Sequence, residues 1–405
     1  GPRPAGAADP PREVRQQQMT SPEPAAAMDR KQGPVPWPTA QPPAAVPRGG
    51  LLRTAMAWLL AVAVVVGIMS ASALRVEGAE VLAFAFLLFP VAWVHTIVHE
   101  AGHALAGLWR GMHPMAFGIG PFRLERTLSG WHWRHGGAIQ GIGGFAMLLP
   151  SPTRGQSRID SAWYILGGPL ANLLLAALAI VMLRDGETAS LARVFWFALA
   201  LTGALFTALN LLPLTVGGWR NDGRCLLDLA LGRADALLGQ RLQALSALTR
   251  SGVRPRDWPP ALVPAQLPGN ALLRANALLV RMAWADDTGD RALQDDTAAA
   301  LAGVFWAAPP ALRAHIALAV AGHAIRHGDG AAARAWRPLC EGGVLYLGAA
   351  RSWLDAALAF DAGDTGTARA HLAFARMEMA KVHNPTSAQV LGEYLDELQL
   401  RIDTP

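Results

Sequence analysis

The apolar residues of this chain concentrate between Leu51 and Leu214, in four long stretches separated by polar connections. A helix that crosses a bilayer needs about 20 mainly apolar residues, and each stretch reaches or approaches that length. The pattern therefore predicts a mainly α membrane protein with four spans. The predicted spans are residues 55–74, 81–98 (continuing as a helix to about 109), 162–183 and 194–212.

The long connection at residues 110–160 is rich in glycine and aromatic residues. Its pieces AFGIGPFRLER, GWHWRHGGAIQ and IGGFAMLLP are typical of short β-strands broken by glycines. Backbone groups beside a membrane must be paired, so we expect a short membrane-associated sheet that dips toward the other spans.

Arginines decide the expected orientation. They cluster before the first span and along residues 110–160, whereas the two short connections carry mixed charge. The positive-inside rule then predicts that both termini and residues 110–160 are cytoplasmic. Together with the abundant Arg and Ala, typical of a GC-rich bacterial genome, this favours a multi-pass protein of the bacterial inner (cytoplasmic) membrane.

Three further regions flank or follow the predicted transmembrane domain at residues 51–235. Residues 1–50 are rich in Pro, Ala and Gln, a composition that predicts disorder. Residues 236–270 are expected to form a helix and a Pro-rich linker. Residues 271–405 have a helical pattern without a span-length apolar run, which predicts a cytosolic α-helical domain.

A weak repeat lies within this last domain. GDGAAARA begins at Gly328 and GDTGTARA at Gly363, an offset of 35 residues, and a poorer copy begins near Asp290. This spacing is close to that of tetratricopeptide helix pairs, whose concave surface would bind a cytosolic peptide or protein partner. A plain helical bundle is the alternative.

The formal net charge is +5, but no Lys/Arg run and no base-reading motif accompanies it. We therefore expect a lipid bilayer and no nucleic acid as the partner of the positive charge. The two cysteines do not make a disulfide framework.

The sequence HEAGH at residues 99–103 carries the sharpest chemical signal. On a helix, His99 and His103 share a face and can bind one metal ion, and Glu100 lies where it can take a proton from water that the metal activates. Ionisable groups at the end of an apolar span are costly and usually functional. His95, one turn earlier, is interpreted either as a support for a ligand or as a residue pointing into the bundle.

A catalytic zinc needs a third protein ligand. Asp222, after the last predicted span, is the best candidate, although Asn-Asp-Gly is also a common turn. In the third predicted span, GGPLANLLL places Gly168 and Asn172 at membrane depth, where they serve either helix packing or the binding of an extended substrate.

These motifs together resemble the site-2 protease family of intramembrane metalloproteases, peptidase family M50. The resemblance rests on HEAGH, on FGIGPF followed by GGFAML, on GGPLANLL, and on NLLPL followed by NDG, and it covers roughly residues 81–230. It implies Zn²⁺ held by His99, His103 and Asp222, with Glu100 as the catalytic base. It further implies a membrane-embedded sheet that presents an extended substrate.

Substrate contacts are also implied by the resemblance, for Asn172 and Asn210, and Gly168 is added to them as a candidate. The expected function is hydrolysis of a peptide bond in or near a transmembrane segment of a membrane protein. In the last motif Thr215 replaces a proline that is usual in the family, and about four additional residues precede Asp222.

Two other functions remain open on the sequence. One is a catalytically weak or inactive membrane scaffold with a structural zinc and a partner-binding helical tail. The other is a conventional zinc protease that acts on soluble peptides at the membrane surface.

Overall fold

Long apolar helices form the first half of the described chain. In this computed structural model the described residues are 35–40, 78–136, 143–184, 190–216 and 219–404. Within them, three helices are long and apolar enough to cross a membrane. They are α1 (Gly78–Trp109), α2 (Arg158–Arg184) and α3 (Ser190–Leu211). They coincide with three of the predicted spans, and the fourth, residues 55–74, lies outside the described residues.

Small residues allow these helices to approach closely. A Cβ atom on Gly102 of α1 would collide with the carbonyl oxygen of Gly167 in α2, and the reverse substitution would collide equally. Large apolar side chains such as Leu82, Phe86 and Leu174 are instead exposed on the outer surfaces of the helices. Within a bilayer this arrangement is expected, because lipid can cover outward apolar side chains while helix contacts use glycine.

The connection between α1 and α2 forms the predicted sheet. Its four antiparallel strands have the order β3-β2-β1-β4. The turn between β1 and β2 needs Gly120, whose φ is +55°. The strands are β1 (His113–Ile119), β2 (Phe122–Thr127), β3 (Gly130–His135) and β4 (Gly144–Leu149).

The two faces of the β2–β3 hairpin differ in an unusual way. Phe122, Trp131 and Trp133 share one face and are exposed, and the rings of Phe122 and Trp133 lie 5.6 Å apart. On the opposite face, Arg123 and Glu125 are buried, with exposed fractions of 3% and 2%. A sheet in water buries its apolar face, so this inversion is typical of a sheet whose aromatic face lies at a membrane interface.

After α3 the chain forms a short hairpin, β5 (Thr215–Val216) and β6 (Trp219–Arg220), and two helices, α4 (Asp222–Ala230) and α5 (Ala234–Arg250). Residues 251–269, predicted as part of a linker, are packed against the helices that follow. Arg254 is 8% exposed and forms ion pairs with Asp287 and Glu393.

Residues 271–404, which we call the helical tail, contain three helix pairs and a final helix. Each pair turns at a glycine with positive φ, followed by an aspartate that caps the next helix; the aspartates are Asp290, Asp329 and Asp364. The repeated Gly-Asp signal in the sequence therefore marks a recurring helix-pair turn, and the tetratricopeptide assignment itself stays a prediction. The helices are α6 (Ala271–Thr288), α7 (Arg291–Val304), α8 (Pro310–Arg326), α9 (Gly330–Trp336), α10 (Gly348–Asp361), α11 (Thr365–Glu378) and α12 (Pro385–Asp403).

The helical tail binds a piece of the N-terminal segment. Residues 35–40 lie against it: Val35 joins its hydrophobic core, and the indole Nε1 of Trp336 donates to the Pro36 carbonyl at 2.8 Å. These six residues differ from the disorder predicted for residues 1–50, because a buried apolar side chain and hydrogen bonds from tail tryptophans hold them. The rest of that segment lies outside the described residues.

The helical tail also holds the polar face of the sheet. The carboxylate of Glu125 accepts hydrogen bonds from Arg134 in β3, from the backbone N–H of Tyr346 at 3.0 Å and from His383 Nε2 at 2.9 Å. At the β2–β3 turn, the backbone N–H of Leu128 donates to the Val382 carbonyl at 2.9 Å. The sheet is therefore anchored between the transmembrane helices and the helical tail.

Candidate metal centre

Helix α1 places two imidazoles on one face. His99 and His103 are four residues apart, and their Nε2 atoms are 3.1 Å from each other. Both side chains are buried, although they lie within a segment apolar enough to span a membrane. Two ring nitrogens that converge in this way form one side of a metal site.

The start of α4 supplies the third group. Asn221 caps this helix by accepting a hydrogen bond from the backbone N–H of Arg224 at 3.0 Å. Its side-chain Nδ2 also donates to the Leu209 carbonyl at 2.7 Å, which ties the helix start to the end of α3. A Cβ atom on Gly223 would collide with the Leu211 backbone, so glycine permits this close approach. Asp222, between these two residues, is thereby held against the imidazoles.

The three donor atoms fit a zinc ion. Oδ2 of Asp222 lies 3.1 Å from His99 Nε2 and 3.5 Å from His103 Nε2, which completes a triangle with the 3.1 Å separation of the ring nitrogens. Donors around a tetrahedral zinc, with bonds of about 2.0–2.1 Å, are separated by roughly 3.3 Å. In addition, Asp222 Oδ2 is buried without a hydrogen-bond partner, which is costly for a carboxylate oxygen unless a cation completes its environment.

Glu100 projects toward the sheet. The backbone N–H of Ala146 in β4 donates a hydrogen bond to its carboxylate. A Cβ atom on Gly144 would lie 2.9 Å from Glu100 Cγ, so the absence of a side chain at this position leaves room for the glutamate. The carboxylate therefore lies between the metal ligands and an edge strand of the sheet.

The backbone of α2 orients His103. Its Nδ1–H donates to the Tyr164 carbonyl at 2.8 Å, which leaves the Nε2 lone pair directed at the other two donors. Gly168 lies directly against both imidazoles: a Cβ atom there would be 2.5 Å from His103 Nε2 and 2.7 Å from His99 Nε2. Glycine at this position keeps the metal site open.

Comparison with protein-family models identifies one domain in the chain. Residues 84–186 match the model of Peptidase family M50.

This chain contains a peptidase family M50 domain.

Comparisons with curated proteins and with solved structures found no match.

The matched residues contain HEAGH, the whole sheet and all of α2. It ends before Asp222 and before the helical tail. The family suggests a membrane-bound peptidase that uses a metal, and the His99–His103–Asp222 cluster offers a place for that metal. The third donor is thus supported by geometry, and the two histidines by both geometry and their position in the matched segment.

Three residues were predicted to contact substrate, and the structure places them differently. Gly168 lines the cluster. Asn172 is fully buried, and its side-chain amide lies between His95 and His99. Asn210 Nδ2 donates to the Phe206 carbonyl within its own helix.

Sequence reasoning missed two residues that build the candidate metal site. Asn221 was interpreted only as part of a turn; a cap residue ahead of an amphipathic helix is the signal that could have found it. Tyr164 acts through its backbone carbonyl, and the sequence carries no signal for that contact.

Proposed function

We propose that this chain is an intramembrane zinc metalloendopeptidase of the site-2 protease type. It hydrolyses a peptide bond in or near a transmembrane segment of a membrane protein, in regulated intramembrane proteolysis. The observation that carries the proposal is the triangle of buried donors formed by His99, His103 and Asp222, with Glu100 beside it, on a helix apolar enough to span a bilayer.

The residues divide the chemistry as follows. His99, His103 and Asp222 would hold a zinc ion, which would supply Lewis-acid activation of water and of the scissile carbonyl. Glu100 accepts the proton of the attacking water and delivers it to the leaving amine. The carboxylate accepts one hydrogen bond from the Ala146 N–H and has further lone pairs free to accept from water, so it can keep this bond while it acts as a base.

The edge strand β4 is the proposed docking place for substrate. It is the last strand in the order β3-β2-β1-β4, and its outer edge faces the helices that carry the site. At this edge the Ala146 carbonyl accepts a hydrogen bond from the Tyr164 hydroxyl at 2.5 Å, and the Ala146 N–H donates one to the Glu100 carboxylate. An extended segment of a substrate can replace these contacts with strand pairing, which brings its backbone beside the catalytic base. Gly168, Asn172 and Asn210 remain candidates for substrate contact on the basis of the resemblance.

We propose four spans in total, with both termini on one side. The described ends of α1 and α3 and the start of α2 lie on the side of the sheet and the helical tail. Residues 35–40 lie on the same side, because they pack against the tail. One crossing is therefore needed before α1 begins, and the apolar run at residues 55–74 has the required length. By the distribution of arginines, the common side is the cytoplasm of a bacterium.

Two kinds of partner accompany this function. The exposed aromatic face of the β2–β3 hairpin favours contact with the lipid bilayer, because Trp side chains prefer the interface. The helical tail is proposed to bind a cytosolic peptide or protein, as helical repeats commonly do.

A purified full chain in detergent or nanodiscs tests the enzymatic function. We expect about one zinc per chain, as a single catalytic site requires. His103→Ala and Asp222→Asn should lose the metal, whereas Glu100→Gln should keep it and lose cleavage of a panel of transmembrane substrates. His113→Ala, on an exposed histidine outside the cluster, is the matched control. If the parent binds zinc but shows no cleavage that Glu100→Gln abolishes, the result would instead support the scaffold function.

A further inference from the structure

A buried chain of hydrogen bonds leads away from His99. Asn172 Nδ2 is 3.2 Å from His99 Nδ1, Asn172 Oδ1 is 3.0 Å from His95 Nδ1, and His95 Nε2 is 2.8 Å from the Leu199 carbonyl. Asn172 and His95 are each 0% exposed. The chain therefore connects α1, α2 and α3 in a region without access to water.

Only one arrangement of protons lets this chain serve a metal site. The Leu199 carbonyl can only accept, so His95 must donate from Nε2, and the Nδ1 of a neutral His95 must then accept. The amide of Asn172 satisfies that need when its Nδ2 faces His95. Rotation of the amide by 180° achieves this, because it exchanges the oxygen and nitrogen between nearly the same two positions.

The rotated amide has a direct consequence for His99. Asn172 Oδ1 then faces His99 Nδ1 and can only accept, so the proton of His99 must lie on Nδ1. The lone pair of His99 is consequently on Nε2, the atom that faces Asp222 and His103. In the opposite orientation Asn172 would donate to Nδ1, and the proton of neutral His99 would point at the metal position.

We propose that His95 and Asn172 are positioning residues that select the metal-binding tautomer of His99 through the carbonyl of Leu199. This assigns Asn172 to the support of a zinc ligand and gives His95 a role in the same chain. The inference rests on the proposed zinc site and adds to it a support for His99. His103 is supported separately, by its hydrogen bond to the Tyr164 carbonyl.

The packing around His95 fits a residue held in one orientation. A Cβ atom on Gly203 of α3 would lie 2.5 Å from His95 Cε1, so glycine makes space for the ring. The ring of Phe206 packs on it, with centroids 5.8 Å apart. Rotation of the imidazole would break both of its hydrogen bonds. The ring is therefore held so that Nε2 faces the Leu199 carbonyl and Nδ1 faces Asn172.

Zinc affinity in the full detergent-purified chain tests the proposal, measured by competition between Zn²⁺ and a chromogenic chelator. Loss of a hydrogen-bonded support for a metal-binding histidine typically weakens affinity about 10- to 100-fold. We expect such a loss for Asn172→Leu, which cannot accept from His99. Asn172→Asp keeps the acceptor for His99 Nδ1–H, and its second oxygen can accept from His95 Nδ1 once that ring binds a proton, so zinc affinity should stay within a few-fold of the parent.

The matched control is Thr207→Val. It removes another buried contact between α3 and α2, from Thr207 Oγ1 to the Pro169 carbonyl at 3.3 Å, without touching an imidazole. Its zinc affinity should equal that of the parent. A loss as large as that of Asn172→Leu would mean that zinc binding responds to any loosened helix contact, and would overturn the proposal.

A double-mutant cycle separates the positioning role of His95 from a packing role. His95→Leu should weaken zinc binding in the parent and have little further effect in the Asn172→Leu background, because the two residues act in series. Effects that add in full would contradict the proposed series from His95 through Asn172 to His99.

In the zinc-loaded parent, ¹⁵N spectra of labelled histidine should show the His99 proton on Nδ1. A proton on Nε2 would overturn the proposal. A parent that binds no zinc contradicts the proposed function itself, whereas a zinc-binding parent unaffected by Asn172→Leu contradicts only this inference.

Discussion

The substitution Glu125→Gln probes how firmly the helical tail holds the sheet. In the parent the Glu125 carboxylate receives hydrogen bonds from Arg134, from the Tyr346 N–H and from His383. Gln keeps the shape but loses the charge, and its amide NH₂ must face one of these donors. Among these partners, the side chain of Arg134 is 22% exposed and that of His383 is 9% exposed, so solvent screens these contacts little.

The expected magnitude follows from these contacts. Removing one partner of a buried charged network costs about 3–5 kcal/mol, and hydrogen bonds to charged groups are each worth about 1.5–3 kcal/mol. Since Gln retains one acceptor, we expect a loss of about 3 kcal/mol for docking of the sheet on the tail. This corresponds to about a 100-fold larger population of the undocked state.

Hydrogen exchange of the Leu128 amide measures this population directly, because the amide donates to the Val382 carbonyl only while the sheet is docked. Glu125→Gln should accelerate its exchange about 100-fold. Asp396→Asn, which removes an exposed ion pair with Arg376 within the tail, should cost less than about 1 kcal/mol and leave the exchange unchanged. Equal exchange in the parent and in Glu125→Gln would refute the assignment of Glu125 as the anchor.

The pH dependence of the same exchange has a definite sign. Burial by itself raises the pKa of Glu125, but the hydrogen bond from His383 and the charge and hydrogen bonds of Arg134 lower the pKa by more, so that it lies below its ordinary value. A carboxyl group with a depressed pKa stabilises docking above the unfolded value of about 4.3 and loses that contribution as the pH falls through the folded pKa. The protection of the hairpin amides, measured against the intrinsic exchange rate at each pH, should therefore fall below about pH 4 in the parent and change much less in Glu125→Gln.

Three further substitutions test the site and its surroundings. Gly168→Ala would place a methyl group 2.5 Å from an imidazole nitrogen, so zinc content should fall sharply while helix content is kept; an unchanged zinc affinity would contradict the packing at this position. Asn221→Ala removes the cap of α4, which should cost about 1 kcal/mol in thermal unfolding and weaken zinc binding, whereas an unchanged affinity would mean that Asp222 is held without the cap. Trp336→Phe removes the hydrogen bond to residues 35–40, and protease should then cleave this segment faster; cleavage at the parental rate would show that the bond does not hold it.

Local patterns in the sequence were sufficient for the elements and for part of the site. The length of the apolar runs predicted the helices at α1, α2 and α3, since a bilayer requires that length wherever the chain folds. The four-residue spacing of His99 and His103 predicted that their side chains converge, because helix geometry alone places them on one face. The glycines of residues 110–160 predicted short strands, which the structure contains as β1–β4.

The tertiary structure decided which groups meet across the chain. Asp222 reaches the histidines because Asn221 and Gly223 hold the start of α4 against the end of α3. The sequence Asn-Asp-Gly alone did not distinguish a metal ligand from an ordinary turn residue. Asn172 contacts His95, which in turn contacts the Leu199 carbonyl, and these two residues lie on two other helices. Spacing along one helix cannot encode such contacts.

The helical tail illustrates the same division. The repeated Gly-Asp signal indicated where helix pairs turn, because a left-handed glycine and a capping aspartate are local requirements of the backbone. The attachment of the tail to the sheet involves Glu125, a residue that the sequence pattern did not single out. By itself the sequence determined the helices, the strands and the paired histidines, since these depend on short-range geometry and on burial in lipid. The tertiary structure was needed to bring Asp222, already the sequence's candidate for third donor, against the histidines, and to reveal the buried neighbours of His99 and the anchoring of the sheet, because these contacts depend on packing between residues tens to hundreds of positions apart.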